Sequence, residues 1–559
     1  MRPGYLKLLF RLFRRSVIAL FAAWATAGSA AESSSSRPEA AMTWPDDAAL
    51  EAQGARIGAV AIIVRPIFDP DSPDERKFLF RLADRLHVDT RKSVIEAQLL
   101  FRSGDAFSRR VLDETERNLR ELRFINEPEI VIVGYRDGLV DLAVIAHDVW
   151  TTNPGISFGR AGGKNSTGLQ LEELSLLGLG KKLAFEYEDN VDRSSYRIEW
   201  HDPNVGGSRW LDTVELTDSD DGESQILVLE RPFYSLDSRW STGLTFDHDD
   251  SIQGVYRLGH RVSEYGRDAR VVDVRYGRSL GLRDHWAHRW IAGLRHDETR
   301  FSQAPDDPGS AVPPDDRRLN YPYLRIESIQ DDFETTQNLD QISRTEDLDF
   351  GARYAIEIGW SATAFGADRN AAILQAEASR GFRLGDGQSL FLASELKGRI
   401  DDGSATDVLF STSLRYYRQT SPRSTFFAFF SGDQGHELDP DHELMLGGDN
   451  GLRGYPLRYQ TGSGRALLTV EQRFYTHYSL WKLANIGGAI FIDAGETWGE
   501  SAFGPTQGLG VLKDVGFGLR LGNTRTGLAN VVHLDIAFPL DGDPSINKVQ
   551  FLVKTKASF

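Results

Sequence analysis

The feature that most constrains this chain is a pattern that holds from Trp150 to Phe559. Over about 400 residues, stretches of roughly ten residues alternate polar with apolar or aromatic positions, and clusters of Gly, Asp, Asn and Pro separate them. Leu183-Phe185-Tyr187, Tyr196-Ile198-Trp200, Trp240-Thr242-Leu244-Phe246, Leu409-Ser411-Ser413 and Val549-Phe551-Val553-Thr555-Ala557-Phe559 are examples. Successive side chains of a strand point to opposite faces, so each stretch reads as a strand with one apolar face. A membrane barrel, whose apolar face meets lipid, satisfies this pattern; so does a soluble β-sandwich array, whose apolar face meets a second sheet. A helical membrane protein does not, because past the N-terminus no stretch is long and apolar enough to span as a helix.

The N-terminus bears on that choice. Arg2, Lys7, Arg11, Arg14 and Arg15 form a basic start, Val17 to Ala25 is a short apolar run, and small residues follow through Ala31. The arrangement predicts a secretory signal peptide over 1–31. A membrane anchor, the alternative, needs about 18 or more apolar residues. An exported chain either floats free or spans a membrane as a barrel, and 53 glycines with 11% aromatic residues favour the barrel. A mean hydropathy of -0.36 does not oppose this, because only alternate barrel residues face lipid. With no cysteine there is no disulfide scaffold, zinc ribbon or thiol nucleophile, and a net charge of -17 argues against a nucleic-acid partner.

Residues 32–55 carry Ser, Pro, Glu and Ala without a sustained period and read as a flexible linker. From Arg56 the texture changes. Val60, Ile62 and Val64 alternate as one face of a strand, and helical patterns follow at 90–101 and 110–124, the second with Leu112, Thr115, Leu119 and Leu122 on one stripe. Strands are expected at 129–134 and 139–149, joined across Asp137-Gly138, with Val140, Leu142, Val144 and Ala146 facing a core. This small α+β domain over 56–150 resembles a POTRA domain, the periplasmic module of outer-membrane assembly and transport barrels, in Gly104-Asp105, the helix around Glu116 to Leu122, Phe124 and the strand around Leu139 to Asp148.

The most informative run is Leu446-Gly447-Gly448-Asp449-Asn450-Gly451-Leu452-Arg453-Gly454-Tyr455-Pro456. It lies between two predicted strands, where glycines let the backbone fold back and present one Arg at a sharp turn. Leu452, Arg453, Gly454 and Tyr455 resemble the tip of the long inward-folded loop of the BamA/TamA superfamily of outer-membrane barrels. Glu471 and Arg473 on the next strand add to the resemblance, as does Phe491-Ile492-Asp493-Ala494-Gly495, which matches that family's F-x-D-x-G strand motif. The resemblance covers the chain from about Arg56 onward and is specific mainly in its last hundred or so residues. It implies that Asp493 is the main partner of Arg453 and Glu471 a second, a positional rather than catalytic role. Arg in a lumen needs counter-charges. It further implies that the C-terminal strand, through Phe551, Val553 and the terminal Phe559, carries the signal read by barrel-assembly machinery. The fold expected is therefore a membrane all-β, antiparallel transmembrane β-barrel over 151–559, preceded by one small α+β POTRA-like domain. The period-two segments number about twenty, whereas the resemblance implies sixteen strands; about sixteen are expected, possibly more, with short segments such as 304–318 read as parts of long loops.

Other motifs carry less. Gly155-Ile156-Ser157-Phe158-Gly159 matches the hydrolase elbow formally, but no helix follows, and Ser157 reads as a strand residue. Gly163-Lys164 lacks the rest of a phosphate loop. His285 and His288 flank Trp286 at an expected strand end, and Asp306, Asp307, Asp315 and Asp316 read as a solvated loop. No catalytic, metal or cofactor site is expected, and the protein is not expected to be an enzyme. Some relatives in that superfamily carry an added lipase domain, but about 25 residues between the signal peptide and the α+β domain leave no room for one here.

Two classes of function follow from the resemblance. In the first, the POTRA-like domain receives unfolded outer-membrane or secreted polypeptides, and a barrel gated at the seam between its first and last strands inserts or translocates them. The place of action would be the outer membrane of a Gram-negative bacterium, with the POTRA-like domain in the periplasm; outer-membrane lipid and the assembly machinery would be its other partners. In the second, the barrel is a passive pore, scaffold or lipid-handling protein, and the Arg453 loop is its plug.

Overall fold

The structure, a computed structural model, describes residues 44–67, 87–305, 307, 309, 312–480, 484–504, 508–523 and 531–556. The expected signal peptide, residues 32–43 and Phe559 lie outside the described residues. Two compact units are present: residues to Ile63 with Leu99–Glu116 and Glu129–Ile145, and Val64–Gln98 with Arg117–Pro128 and Ala146–Phe559.

Part of the region read as a linker is helical. In α1 (Asp47–Ala52), the Asp46 carboxylate accepts from Ala49 N and caps the first turn, while Leu50 is fully buried. Six residues are too few for a period to register, which is why the sequence reading missed it. Helix α2 (Lys92–Gln98) lies within the first helical pattern and α3 (Arg109–Glu121) begins one residue before the second and ends three residues short of it, with Leu112, Thr115 and Leu119 as its buried stripe. Strands β1 (Arg56–Arg65), β2 (Ile125–Arg136) and β3 (Leu139–Asp148) make a three-stranded sheet in the order β1-β3-β2. Asp137 and Gly138 both take positive φ, 51° and 78°, the conformation a two-residue hairpin of this twist requires. Val140, Leu142, Val144 and Ala146 are all fully buried, so the alternation of β3 defines the inner face of the sheet.

Twenty antiparallel strands close a barrel, from Thr152–Ala161 to Gln550–Lys556. Twenty exceeds the sixteen expected and falls within the larger barrel that the count of period-two segments allowed. In Ala484–Trp498, Ile490 and Ile492 are exposed on the outer face, whereas Phe491 and Asp493 are buried inside. Leu512–Asn523 repeats the arrangement, with Phe517 and Leu519 outside and Asp514 and Arg520 inside. Apolar outside and charged inside is the transmembrane solution and the inverse of a soluble sandwich.

Four connections between barrel strands are long: 304–316, 331–352, 437–463 and 499–511. The second follows the tenth barrel strand and the third follows the fifteenth. Strand direction alternates, so these two leave the wall at opposite ends. The 331–352 connection starts from the end where the first barrel strand begins and contains a hairpin, Phe333–Gln337 paired with Thr345–Asp349. The 437–463 connection contains Leu444–Leu446 paired with Gln460–Gly462, which doubles the loop back on itself.

Closure is uneven around the ring. The first strand is paired with the second, Lys164–Glu173, along its whole length from Thr152 to Ala161. Against the last strand, among the described residues, it has a single register pair, Arg160 with Val553.

Candidate functional site

The doubled-back loop carries Arg453 into the lumen. Leu446, Leu452 and Tyr455 are fully buried and cluster with Tyr459, Leu467 and Leu512, so an apolar base holds the loop against the wall. The Tyr455 hydroxyl donates to the carbonyls of Lys513 (2.7 Å) and Asp541 (3.2 Å), fixing the residue that follows the Arg-Gly pair.

Arg453 itself is fully engaged. Its Nε and Nη2 donate to the two oxygens of Asp493 at 2.7 and 2.9 Å, and Nη1 donates to Glu471 at 2.8 Å. A third carboxylate, Asp535, lies 3.6 Å from Nη1. The guanidinium also lies flat over Phe491, with Cζ 3.3 Å from the ring centroid. The structure thus brings together Arg453, Glu471, Phe491 and Asp493, which come from one loop and two neighbouring strands. Paired hydrogen bonds plus ring stacking suit a planar guanidinium and not an ammonium.

The motif glycines have a steric reason. A Cβ on Gly454 would stand 2.6 Å from Asp514 Cβ, and the Gly454 N–H donates to Asp514 at 2.9 Å. A Cβ on Gly495 would stand 2.8 Å from Leu446 of the inserted loop. Both positions therefore let the loop backbone approach the wall.

Several residues of this cluster lie outside the sequence-level set. Asp514, Arg520 and Asp535 extend it along the next two strands, where Arg520 pairs with Asp535. Their signal was available, because Asp514, Gly516, Gly518 and Arg520 alternate with Val515, Phe517, Leu519 and Leu521. Arg473 donates through Nε to Glu471 at 3.0 Å and through Nη1 to Asp340 at 3.0 Å. Nothing in the sequence marks Asp340.

The loop also reaches the seam. Lys554 of the last strand donates through Nζ to the carbonyls of Gly448 and Asp449 at 2.8 and 2.9 Å. At the other side, Arg458 donates to Asp192 at 2.7 Å, in the turn after the third barrel strand (Lys182–Asp189). One inserted loop therefore holds residues on both sides of the least-paired junction in the barrel.

The remaining assigned residues sit apart from this cluster. Phe551 is exposed on the outer face, and Val553 pairs with Leu534 and Arg160. Ser157 lies within the first barrel strand. His288 stacks on Trp286 and shares a hydrogen bond with Ser328. Asp307 accepts from Ser263 and from the Glu264 and Gly309 N–H groups. Among the described residues two groups have metal-ligand spacing, His87 with Asp89 and Asp148, and Asp407 with Asp439 and His442. In the first, Asp148 already accepts from the Thr90 N–H, the Thr90 hydroxyl and the Val149 N–H; in the second, Arg399 donates to Asp439 at 2.6 and 2.7 Å.

No protein-family model matches the chain, and no curated protein matches it. Among solved structures it is similar to CdiB from Acinetobacter baumannii, at 13% identity and a TM-score of 0.46 over 90% of this chain and 73% of that one. It is also similar to CdiB from Escherichia coli, at 12% identity and a TM-score of 0.46 over 90% and 76% of the two chains. A third is BamA from Haemophilus ducreyi lacking POTRA domains 1–3, at 13% identity and a TM-score of 0.38 over 89% and 85%. The class is a closed transmembrane barrel with a loop folded into its lumen.

Proposed function

We propose that the protein is an outer-membrane barrel that inserts polypeptides into the membrane or moves them across it, through a seam between its first and last strands. The observation that carries this reading is the pairing of that seam. A barrel spans lipid because every backbone group is satisfied by a neighbouring strand, and an open edge there is costly. A junction with one register pair among the described residues has little to break, and an incoming strand would satisfy the edges it exposes. The Arg453 loop supports the reading by anchoring a few strands away from that junction: it is clamped to Asp493 and Glu471 and bonds to the last strand through Lys554 and two carbonyls.

Within this reading the sheet β1-β3-β2 and its helices form a POTRA-like periplasmic module that receives extended chains by strand addition, and the chain acts without catalysis. The test is quantitative proteomics of outer membrane and medium after depletion, with an Arg453→Ala rescue alongside. Selective loss of a few barrel or secreted proteins, not restored by the variant, is the expected result. An unchanged proteome would favour a pore, scaffold or lipid-handling barrel instead.

A further inference from the structure

The 331–352 connection enters the lumen from the end opposite the Arg453 loop. Leu339 clusters with Tyr417 and Phe427, and Phe350 lies against Phe391, with ring centroids 5.3 Å apart. Ile342 clusters with Tyr475, Ala489 and Val531 and lies over the backbone of Gly522. These partners belong to seven consecutive strands, from Gln388–Asp401 to Val531–Pro539. Tyr417, Phe427, Glu471 and Phe491 are register partners in one row, which places them on the same face as the Arg453 cluster. The segment is therefore packed against the inner wall.

Polar contacts add to this packing, from Arg383 with Asp332 and Glu334 at the start of the connection to Arg353 with Asp349 at its end. Leu339 O accepts from Arg473 Nη1 at 2.7 Å and from the Tyr475 hydroxyl at 2.9 Å, and Asp340 accepts from Arg473 and from the Tyr417 hydroxyl at 2.8 Å. Asp347 accepts two bonds from Arg120 of α3, at 2.7 and 2.6 Å, and Arg117 Cζ lies 3.6 Å from the Phe333 ring centroid. Arg117, Arg120 and the hairpin all belong to the larger compact unit. Beside it the lumen holds a cavity of about 580 Å³, with Arg325, Glu327, Glu377, Glu395, Asp433 and Arg465 on its lining. A charged cavity of that size is a water-filled space.

We propose that 331–352 is a removable plug of the lumen, latched to α3 by Arg120 and Asp347 and seated on the wall by Arg473. Arg473 also holds Glu471, the second partner of Arg453, so the plug from one end and the loop from the other share one ion-pair chain: Asp340, Arg473, Glu471, Arg453. Releasing Asp347 from Arg120 loosens the hairpin, and unseating the whole connection joins the polar cavity to an open aqueous path. This plug does not depend on the polypeptide reading, since it applies equally to a pore.

The test is single-channel conductance of the full chain in planar bilayers. Replacing 334–348 with a short Gly-Ser link is expected to raise conductance severalfold. Arg120→Ala is expected to raise the frequency of open events, and the charge swap Arg120→Asp with Asp347→Arg to return it toward wild type. Because the chain has no cysteine, a Leu339→Cys, Phe427→Cys pair reports cleanly: oxidised, it should hold the Arg120→Ala barrel closed, and reduction should open it. Openings that persist with the disulfide formed would overturn the plug, as would a folded, heat-modifiable deletion variant that conducts like wild type. If the deletion variant does not fold, the cysteine pair decides alone.

Discussion

Arg453 and Asp493 stand forty positions apart in the chain and meet through two parallel hydrogen bonds of 2.7 and 2.9 Å, with the guanidinium stacked on Phe491. Asp493 is fully buried, so neither partner has water as an alternative. A buried ion pair of this kind contributes little net stability against an apolar replacement, but removing one member leaves an uncompensated charge. Its value here is positional: it fixes where the inserted loop crosses the lumen.

Arg453→Ala is expected to cost on the order of 3–5 kcal/mol, because Asp493 and Glu471 lose their counter-charge together. Arg453→Lys should recover only part of this, since an ammonium cannot bridge both Asp493 oxygens while stacking on Phe491. Urea midpoints of heat-modifiable mobility measure both. Equal midpoints for the three proteins would contradict the pairing.

Gly454→Ala is expected to push the loop off the wall, because the new methyl would meet Asp514 Cβ at 2.6 Å. Overpacking of this kind costs about 1–3 kcal/mol. Limited proteolysis should cut within 437–463 faster in the variant, with the barrel itself intact. A cleavage rate equal to wild type would show that the contact yields without cost.

Lys554→Ala removes the bonds from the last strand to the Gly448 and Asp449 carbonyls, worth on the order of 1 kcal/mol for a partly exposed charged donor. The seam should then open more often. A single cysteine at Arg160, labelled by a membrane-impermeant maleimide, should react faster in the Lys554→Ala background. Slower or unchanged labelling would argue that the loop does not restrain the last strand.

His87 gives a pH dependence. Burial disfavours its charge, but the Asp148 carboxylate 3.1 Å from Nε2, with Asp89 and Glu173 beyond it, raises its pKa above the ordinary value. The fold therefore favours the protonated ring. The stabilisation is complete below about pH 6.5 and is lost as pH rises through the raised value. Thermal unfolding midpoints should fall over that window in wild type and stay level in His87→Gln; a falling profile in both would assign the dependence elsewhere.

Much of the barrel was legible because lipid on one side and a charged lumen on the other force the same alternation onto every strand. Ile490, Phe491, Ile492 and Asp493 show it within four residues. The Arg453, Asp493 and Glu471 association was legible through motif resemblance, not through spacing alone. Asp514 and Arg520 were readable as inward charges in a strand of otherwise outward apolar residues, and were overlooked. Asp340 and Lys554 were not readable. Asp340 lies in a polar connection without a period, and Lys554 bonds to carbonyls, which leave no trace in side-chain identity. The α1 helix was hidden by its shortness, and the strand number followed the chain's own segments once each was allowed to count.

The central claim is that the junction between the first and last strands moves in function. Arg160 and Val553 form its register pair, and the chain is free of cysteine, so Arg160→Cys with Val553→Cys can lock it. The measurement is complementation of a depleted strain by the locked protein, with and without a reductant, scored on the proteins lost upon depletion. The account predicts that the oxidised pair fails to restore them and that reduction recovers them. Full restoration by a barrel shown to be cross-linked would contradict it.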